Sequence, residues 1–231
     1  MTIKLHAAAA ALLLMAAPGA AFAQTAPDWA FNAAVGSDYV FRGVSQTEED
    51  PAISAGVDLT AGSFYAGAWA SNVSFVGDDN TDAEVDLYGG FRTETAGWNL
   101  DLGVVGYLYT SQPDGADYDY AEAKLAASRA VGPATVGAVV YYSPDFFGAS
   151  EDEATYVEAN AAFSPADKWT VSGALGRQFV SSDFDYTTWN VGAAYALTDN
   201  LAVDVRYHDT DEHAFGEVYG ARAVASLKAV F

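Results

Sequence analysis

The sequence predicts an all-β fold, a closed antiparallel up-and-down barrel of twelve transmembrane strands. Segments of about ten residues, the length that crosses a bilayer at a tilt, alternate between apolar and polar side chains. Hydrophobic residues make up 51% of the chain, yet after residue 23 no apolar run reaches the roughly 18 residues of a spanning helix. A membrane protein without spanning helices must close its sheet, because lipid offers no partner to open backbone groups.

An export signal precedes the predicted strands. A short apolar run and the motif Ala21-Phe22-Ala23 predict a Sec signal peptide at residues 1–23, cleaved before Gln24. The run is too short for a membrane anchor. Residues 24–231 then form a single outer-membrane β-barrel domain, and an even strand number places both ends of the mature chain on the periplasmic side. The absence of cysteine suits an exported protein.

We predict the strands from apolar periodicity and from the turn residues between them. Their spans are 29–42, 52–61, 63–76, 83–93, 98–110, 118–129, 134–143, 154–163, 169–179, 186–196, 201–208 and 217–231. Connections after even-numbered strands are short, such as Ala61-Gly62, whereas those after odd-numbered strands are mostly long and acidic, such as residues 144–153. This asymmetry is typical of short periplasmic turns and longer extracellular loops.

Charged side chains in these strands occupy one face and apolar side chains the other. Strand six alternates Ala121, Ala123 and Leu125 with Glu122 and Lys124. The charged face must point into the lumen, because the other face contacts lipid. The third strand has no charge, so its faces stay unassigned. The predicted lumen charges are Asp38, Arg42, Asp58, Glu84, Asp86, Arg92, Asp101, Glu122, Lys124, Glu158, Asp204, Arg206, Arg222 and Lys228.

Aromatic residues cluster near the strand ends, while the apolar faces are rich in alanine and glycine. Trp29, Trp98 and Trp169 each begin a strand on the periplasmic side, and Tyr142 and Tyr207 lie near upper ends. Two aromatic girdles around an apolar band indicate a bilayer. A secreted β-sandwich is the alternative fold, but it places its bulky side chains in a core.

The composition and the scarcity of catalytic residue types narrow the function. A formal net charge of -21 argues against nucleic acid as a partner. The segments 208–213 and 78–82 combine histidine or amide groups with carboxylates, and we interpret both as solvated acidic loops, so we expect no metal and no cofactor. Twelve-stranded outer-membrane phospholipases need serine and histidine together at the rim. Because His208 falls on the lumen face and His213 has no serine close in sequence, we expect no catalytic residue.

Three motifs in the N-terminal third resemble one bacterial family. They are Ser37-Asp38-Tyr39-Val40-Phe41-Arg42-Gly43-Val44-Ser45-Gln46, then Asp50-Pro51-Ala52, then Phe64-Tyr65-Ala66-Gly67-Ala68-Trp69-Ala70-Ser71-Asn72. Their order and spacing are similar to those of the TorF porin family of proteobacterial outer-membrane proteins. The resemblance implies a small outer-membrane barrel that acts as a channel, and it carries over no catalytic or ligand residue.

The first motif also has a physical interpretation. Asp38 and Arg42 share the inward face of the predicted first strand, and an inward arginine is costly unless it is paired. The functional interpretation is a pore constriction between Arg42 and opposing carboxylates. The alternative is a buried ion pair that fixes strand register. Gln46, in the first extracellular loop, can fold inward.

We expect a porin-like channel for passive diffusion of small polar solutes or ions, with a weak cation preference from its acidic loops. The alternative is a closed structural or surface-interaction barrel with a salt-bridged lumen and no transport role. Expected partners are outer-membrane lipid, lipopolysaccharide and the barrel-assembly machinery, which would recognise the C-terminal strand ending in Phe231. In that strand, Arg222 and Lys228 would lie beside Asp204 and Asp38. The sequence assigns neither the solute nor the oligomeric state.

Overall fold

Residues 27–149, 152–181 and 183–231 are described in this computed structural model. The predicted signal peptide lies outside them. Twelve strands close into one antiparallel barrel, in which each strand pairs with its neighbours along the chain and the last pairs with the first. The wall strands are β1 (Asp28–Gly36), β4 (Ala52–Ala61), β5 (Phe64–Asn72), β6 (Ala83–Thr95), β7 (Trp98–Tyr109), β8 (Tyr120–Val131), β9 (Ala134–Ser143), β10 (Ala154–Ala166), β11 (Trp169–Phe179), β12 (Tyr186–Ala196), β13 (Leu201–Thr210) and β14 (Arg222–Val230).

Four short elements lie outside the wall. Strands β2 (Val40–Phe41) and β3 (Val44–Ser45) pair only with each other. Two 3-10 turns, η1 (His213–Phe215) and η2 (Glu217–Tyr219), precede β14. In the described ranges, no helix has the length and apolarity needed to cross a membrane.

The predicted twelve-strand closed barrel is confirmed, and β4, β9, β11 and β12 have the predicted bounds. Five other strands differ from their predicted bounds by one to three residues at an end, and three predicted bounds are wrong by four residues or more. The first strand ends at Gly36 rather than at residue 42, because the chain turns inward there. The third ends at Asn72 rather than at residue 76. The last begins at Arg222 rather than at residue 217, because residues 217–219 form η2, whose carbonyl at Glu217 accepts a hydrogen bond from the Arg222 guanidinium (2.7 Å).

The outer face of the wall is apolar and exposed. Side chains alternate between buried and exposed along the upper halves of the strands, as in β8. Ile53 is 69% exposed and Val104 is 62% exposed, and both project from the wall. Trp29, Trp98 and Trp169 are likewise exposed, at the end of the barrel that carries the short turns. A belt of this kind is matched to lipid rather than to water.

The structure assigns the faces of β5, which has no charged residue. Tyr65 points inward, because its hydroxyl donates to Asp101 across the lumen face (2.7 Å). Trp69 also points inward and packs edge-on against Tyr39, with ring centroids 5.2 Å apart. Gly67 lies against the ring of Tyr88, where any side chain would collide. The inward face of β5 is therefore aromatic and small, not charged.

The seam between β1 and β14 closes the barrel. Five residue pairs register across it, from Asn32–Val230 to Gly36–Ser226. Below them, Phe31 and Phe231 exchange two backbone hydrogen bonds of 3.1 and 2.8 Å. The final residue therefore extends the pairing past the end of β14, and the sheet has no open edge at this point.

Candidate functional site

The lumen is occupied by the first long connection, residues 37–51, which we call loop L1. Instead of rising above the wall, L1 folds into the barrel as a hairpin of β2 and β3. Its two-residue turn, Arg42-Gly43, has positive φ at both positions (48° and 87°), as a type I′ hairpin turn requires. A Cβ on Gly43 would collide with Thr188 and Thr210, so the tip of the hairpin rests directly on β12 and β13.

The base of L1 is tied by Asp38. Its carboxylate accepts hydrogen bonds from the hydroxyls of Ser45 (2.7 Å) and Thr47 (2.9 Å) across the hairpin. The Arg222 guanidinium of β14 donates to the same carboxylate (3.3 Å). One buried carboxylate thus joins both arms of the hairpin to the wall.

Arg42, at the tip, makes the central contact of the lumen. Its guanidinium donates to both oxygens of Glu122 on β8, at 2.9 and 2.6 Å, and to Gln178 on β11 at 3.0 Å. The guanidinium also lies over the rings of Tyr156 (4.4 Å) and Tyr141 (4.9 Å). The side chains of Arg42 and Glu122 are only 5% and 1% exposed. Loss of one partner from so shielded a bidentate pair leaves an uncompensated buried charge, which costs far more than breaking a surface pair.

Two aromatic residues of L1 fill the space beside Arg42. The Tyr39 hydroxyl donates to Glu84 on β6 (2.8 Å). Phe41 packs edge-on against Tyr107 on β7, at 5.8 Å between ring centroids. L1 therefore contacts opposite walls of the barrel, and the layer at its level is packed rather than filled with water.

The outer loops fold over the same end of the barrel. Phe75, Tyr118 and Phe147, from three different connections, form one aromatic cluster, in which Tyr118 and Phe147 stack at 4.5 Å. In the connection at 73–82, hydrogen bonds donated by Thr81 and Asn80 hold the pKa of the Asp78 carboxyl below its usual value. Within the described ranges, no three acidic or histidine side chains are grouped as a metal site requires.

A cavity of about 360 Å³, lined by apolar side chains and by several charged ones, adjoins the inner side of L1. Arg206 is held there by Asp204 (3.1 Å) and Asn190 (2.7 Å). Asp58 accepts a hydrogen bond from the Tyr88 hydroxyl (2.7 Å). Lys228 also lines the cavity and makes neither a hydrogen bond nor an ion pair within the part of the chain that is described. Charges of both signs therefore face the water-accessible part of the lumen.

A second network, around the buried carboxylate of Asp101, joins the four neighbouring strands β5 to β8. Asp101 on β7 accepts hydrogen bonds from Arg92 on β6 (3.2 Å), Lys124 on β8 (2.9 Å) and Tyr65. The Arg92 guanidinium lies 3.8 Å from the centre of the Tyr65 ring. The Asp101 carboxylate is thus the shared acceptor that holds the two cations, Arg92 and Lys124, together.

The structure places the predicted lumen charges inside the barrel, in five groups. These are the L1 tip (Arg42, Glu122), the L1 base (Asp38, Arg222), the shared-acceptor network (Arg92, Asp101, Lys124), the cavity wall (Asp58, Glu158, Asp204, Arg206, Lys228) and a carboxyl pair (Glu84, Asp86).

Two details of the sequence prediction are wrong. Asp38 and Arg42 do not project from the first strand; they belong to L1, which crosses the lumen. Of the expected neighbours in the last strand, Arg222 contacts Asp38, whereas Asp204 pairs with Arg206 of its own strand and Lys228 has no ion-pair partner among the described residues.

The sequence prediction missed the tyrosines that line the packed layer. The sequence did contain a sign of them. They stand at the inward-facing alternate positions near the upper strand ends, where an open channel would have small or polar side chains. They are Tyr107, Tyr109, Tyr120, Tyr141, Tyr156 and Tyr186, all buried.

The comparisons with known proteins identify a family and a fold. The model of a family described as "Bacterial protein of unknown function (Gcw_chp)" matches residues 20–231. No curated protein matches the sequence. The resemblance to the TorF family is not confirmed by these comparisons.

Three solved structures illustrate the similarity of fold. A KdgM porin has a TM-score of 0.62 at 9% identity, covering 87% of this chain and 99% of the porin. The NanC porin has a TM-score of 0.58 at 10% identity, with coverages of 87% and 97%. The COG4313 outer membrane channel from Pseudomonas putida F1 has a TM-score of 0.54 at 12% identity, with coverages of 93% and 98%. The chain therefore has the fold of porin-like outer-membrane barrels.

Proposed function

The chain belongs to the Gcw_chp family of bacterial proteins of unknown function, and we propose that it is a porin-like channel of the outer membrane. In the conformation described above, L1 closes the lumen. Displacement of L1 would connect this cavity, with its charged side chains, to the outside and let small polar solutes or ions pass by diffusion. The TorF resemblance of the N-terminal motifs agrees with this proposal.

The observation that carries the proposal is that L1 fills the lumen without being part of the wall. Its strands β2 and β3 pair with each other, not with the barrel. The backbone of L1 is joined to the rest of the chain at Ser37, which bonds to Ala225, and at Gln46 and Thr47, which meet Ser74 of the next loop. The other contacts are made by side chains. L1 can therefore leave the lumen while the hydrogen bonds between the wall strands stay intact.

The charges of the cavity bear on the class of solute. A KdgM porin has been solved in complex with oligogalacturonate, an acidic polymer. In this chain the cavity carries Asp58, Glu158 and Asp204 as well as Arg206 and Lys228. A lining of mixed sign suits small neutral or zwitterionic solutes and single ions better than a polyanion. The acidic outer loops would add a weak preference for cations.

One observation favours the rival function, a closed barrel with a structural or surface-contact role. The Arg42–Glu122 pair is almost fully shielded from water, as it would be in a lumen that is permanently sealed. The two proposals differ in whether L1 ever leaves the lumen.

Planar-bilayer recording separates them. Two forms of the protein are compared, the wild type and a variant in which residues 39–47 are replaced by a glycine-serine linker. We expect brief, small openings from the wild type and large, steady conductance from the variant. A control variant carries the same kind of linker at residues 77–81, outside the lumen, and should behave as the wild type. If the wild type stays silent while the L1 variant conducts, the closed barrel is correct.

We propose no catalytic role. His213 contacts Asp209 (2.7 Å), but among the described residues no serine hydroxyl bonds to His213 or to His208. Within the described ranges, therefore, no serine–histidine pair is formed, on which hydrolysis at the rim would depend.

We propose an outer-membrane location with lipid and lipopolysaccharide around the apolar belt. The predicted signal peptide, the belt and the barrel fold support it. We also propose that the barrel-assembly machinery recognises the last strand, with Phe231 as the signal. The pairing of Phe231 with Phe31 gives this residue a place in the closed wall and so supports a role in assembly.

A further inference from the structure

Glu84 and Asp86 form a carboxyl pair that is sealed inside the barrel. They lie two residues apart on β6, both facing the lumen, and are 2% and 0% exposed. Neither forms an ion pair with any described residue. Both carboxyl oxygens of Asp86 are buried and have no hydrogen-bond partner in the described part of the chain. The proposed channel function gives this pair no role.

No positively charged side chain among the described residues contacts the pair. Trp69 and Ser71 lie opposite the pair on β5, and Tyr107 and Tyr109 lie opposite it on β7. From L1, the Tyr39 hydroxyl donates to Glu84. The Ser71 hydroxyl donates to the Ile53 carbonyl and that of Tyr107 to Glu122.

The nearest charged groups in the packed layer are already matched to each other. Glu122 on β8 is neutralised by Arg42 of L1. On β6 itself, the next inward side chain, Tyr88, donates to Asp58. Two ionised carboxylates would therefore lie side by side, out of water and without a counter-charge. Burial of one unpaired charge already costs several kcal/mol.

We propose that Glu84 and Asp86 bind one proton between them while L1 is closed, so that a carboxylic acid donates to the neighbouring carboxylate. This provides a donor for an Asp86 oxygen that otherwise has none. A metal ion would also neutralise the pair, but hard cations take six or more oxygen ligands, and no group of three acidic or histidine ligands exists in the described ranges. A proton needs only the contact between the two carboxyls.

Because L1 covers the site, binding of the proton is coupled to closure of the channel by L1. This step rests on the proposed function. When L1 leaves, Tyr39 leaves with it and water reaches the pair. Exposed Asp and Glu carboxyls ionise above about pH 4. Opening therefore releases the proton, and a rise in pH favours the open state. For one proton, the ratio of open to closed molecules changes by at most about tenfold per pH unit.

Infrared spectroscopy of the folded protein in nanodiscs tests the proton without any conductance measurement. We expect the carbonyl stretch of a protonated carboxyl group to persist at pH 7 in the wild type and to be absent in Asp86→Asn. The control, Asp58→Asn, removes a lumen carboxyl that accepts a hydrogen bond from Tyr88, and it should leave the band unchanged. Absence of the band in the wild type overturns the proposal, whatever the variants do. A band that appears only after Na⁺, K⁺ and Ca²⁺ are removed also overturns it, because a cation then holds the site.

Bilayer recording between pH 5 and pH 8 tests the coupling. The open fraction of the wild type should rise with pH, and Asp86→Asn should remove most of this dependence. If the infrared band is found but no variant ever conducts, the proton site stands and the channel function fails. A channel whose opening does not depend on pH overturns the coupling.

Discussion

At Arg42, one side chain holds together a layer that spans the barrel. The guanidinium reaches strands β8, β9, β10 and β11 through Glu122, Tyr141, Tyr156 and Gln178. Among the described residues, the loss of Arg42 would leave the buried Glu122 carboxylate with only the Tyr107 hydroxyl as a hydrogen-bond donor. The energetics of the closed lumen therefore depend on this residue more than on any exposed charge.

Replacement of Arg42 by alanine should release L1. Breaking a buried pair by removing one partner costs about 3–5 kcal/mol, and this cost falls on the closed state. We expect much faster hydrogen exchange and protease cleavage within residues 38–50 in detergent micelles.

Arg177→Ala serves as the matched control for that variant. Arg177 is 42% exposed and lies 3.8 Å from Asp185 and 3.7 Å from Asp211. Exposed pairs of this kind contribute at most about 1 kcal/mol. Equal exchange rates of L1 in the wild type and in Arg42→Ala would contradict the role assigned to Arg42.

Gly43 sets the position of the hairpin tip, and Gly43→Ala should displace it. The new Cβ meets the Thr188 and Thr210 side chains, and the residue keeps a positive φ of 87°. We expect a larger open fraction in bilayer recordings. Gly62→Ala is the matched control. Gly62 lies in a turn with a positive φ of 62°, and no atom lies within 4 Å of a Cβ built there, so this variant tests backbone strain without a collision. Identical recordings from the two variants would rule out the collision as a cause.

Among the elements, L1 shows the limit of pattern-based prediction. Alternation predicted the wall because each wall strand faces lipid on one side and the lumen on the other. Tyr39 and Phe41 continue the apolar parity of β1, so the same pattern extended the strand to residue 42. In the structure these rings pack on Trp69 and Tyr107 instead of lipid. Apolar alternation does not distinguish a lipid contact from a packed lumen.

The same ambiguity explains why the predicted start of the last strand, residue 217, was wrong. Tyr219 fits the outward parity of residues 221–231, but it packs edge-on against Tyr186, with centroids 5.3 Å apart. Parity also placed charged residues on the lumen face without identifying their partners. Asp38 reaches Arg222 only because L1 turns inward, and a distance between residues 184 positions apart is not encoded in local periodicity.

The shared-acceptor network should stabilise the wall itself. Asp101→Ala leaves the buried Lys124 and the partly buried Arg92 as neighbouring cations without their shared acceptor. We expect the free energy of unfolding in micelles to fall by about 3–5 kcal/mol, measured by denaturant titration. Asp28→Ala, at an exposed strand start, is the control and should change it by less than about 0.5 kcal/mol. A similar loss in both variants would show that the network contributes nothing specific.

For the molecule as a whole, closure depends on a short seam. The register of β1 with β14 covers five pairs, whereas β1 and β4 register over nine. Phe231 adds two backbone hydrogen bonds to that seam. Loss of this residue should therefore affect closing of the barrel more than the properties of a closed barrel.

Deletion of Phe231 should lower the yield of inserted, heat-modifiable protein in the outer membrane severalfold. The conductance of the molecules that do insert should stay unchanged. Phe64→Ala is a matched control, because Phe64 is also largely exposed at a strand end but pairs with β6, away from the seam. Normal insertion of the truncated protein would contradict the proposed role of Phe231 in assembly.

The acidic excess should give the channel a cation preference that depends on salt. The chain contains 31 acidic and 10 basic residues, whereas the predicted lumen set is nearly balanced. Exposed charges are screened within about 10 Å at 0.1 M salt and about 3 Å at 1 M. We expect reversal potentials in a KCl gradient to indicate cation preference at 0.1 M and to lose most of it at 1 M. A preference unaffected by salt would instead point to charges inside the lumen.

The base of L1 rests on β14, which is synthesised after the other wall strands. Asp38 needs Arg222, and Ser37 bonds to the backbone of Ala225, both on β14. The hairpin is therefore made early but can be fully seated only late, after the final strand has joined the first. In a barrel whose seam is still open, the interior would stay hydrated. L1 would then be held through Arg42 at its tip but not yet through its base on β14. The hairpin can therefore dock fully only once the wall is complete. The time at which it docks during maturation is then the time at which the barrel becomes sealed.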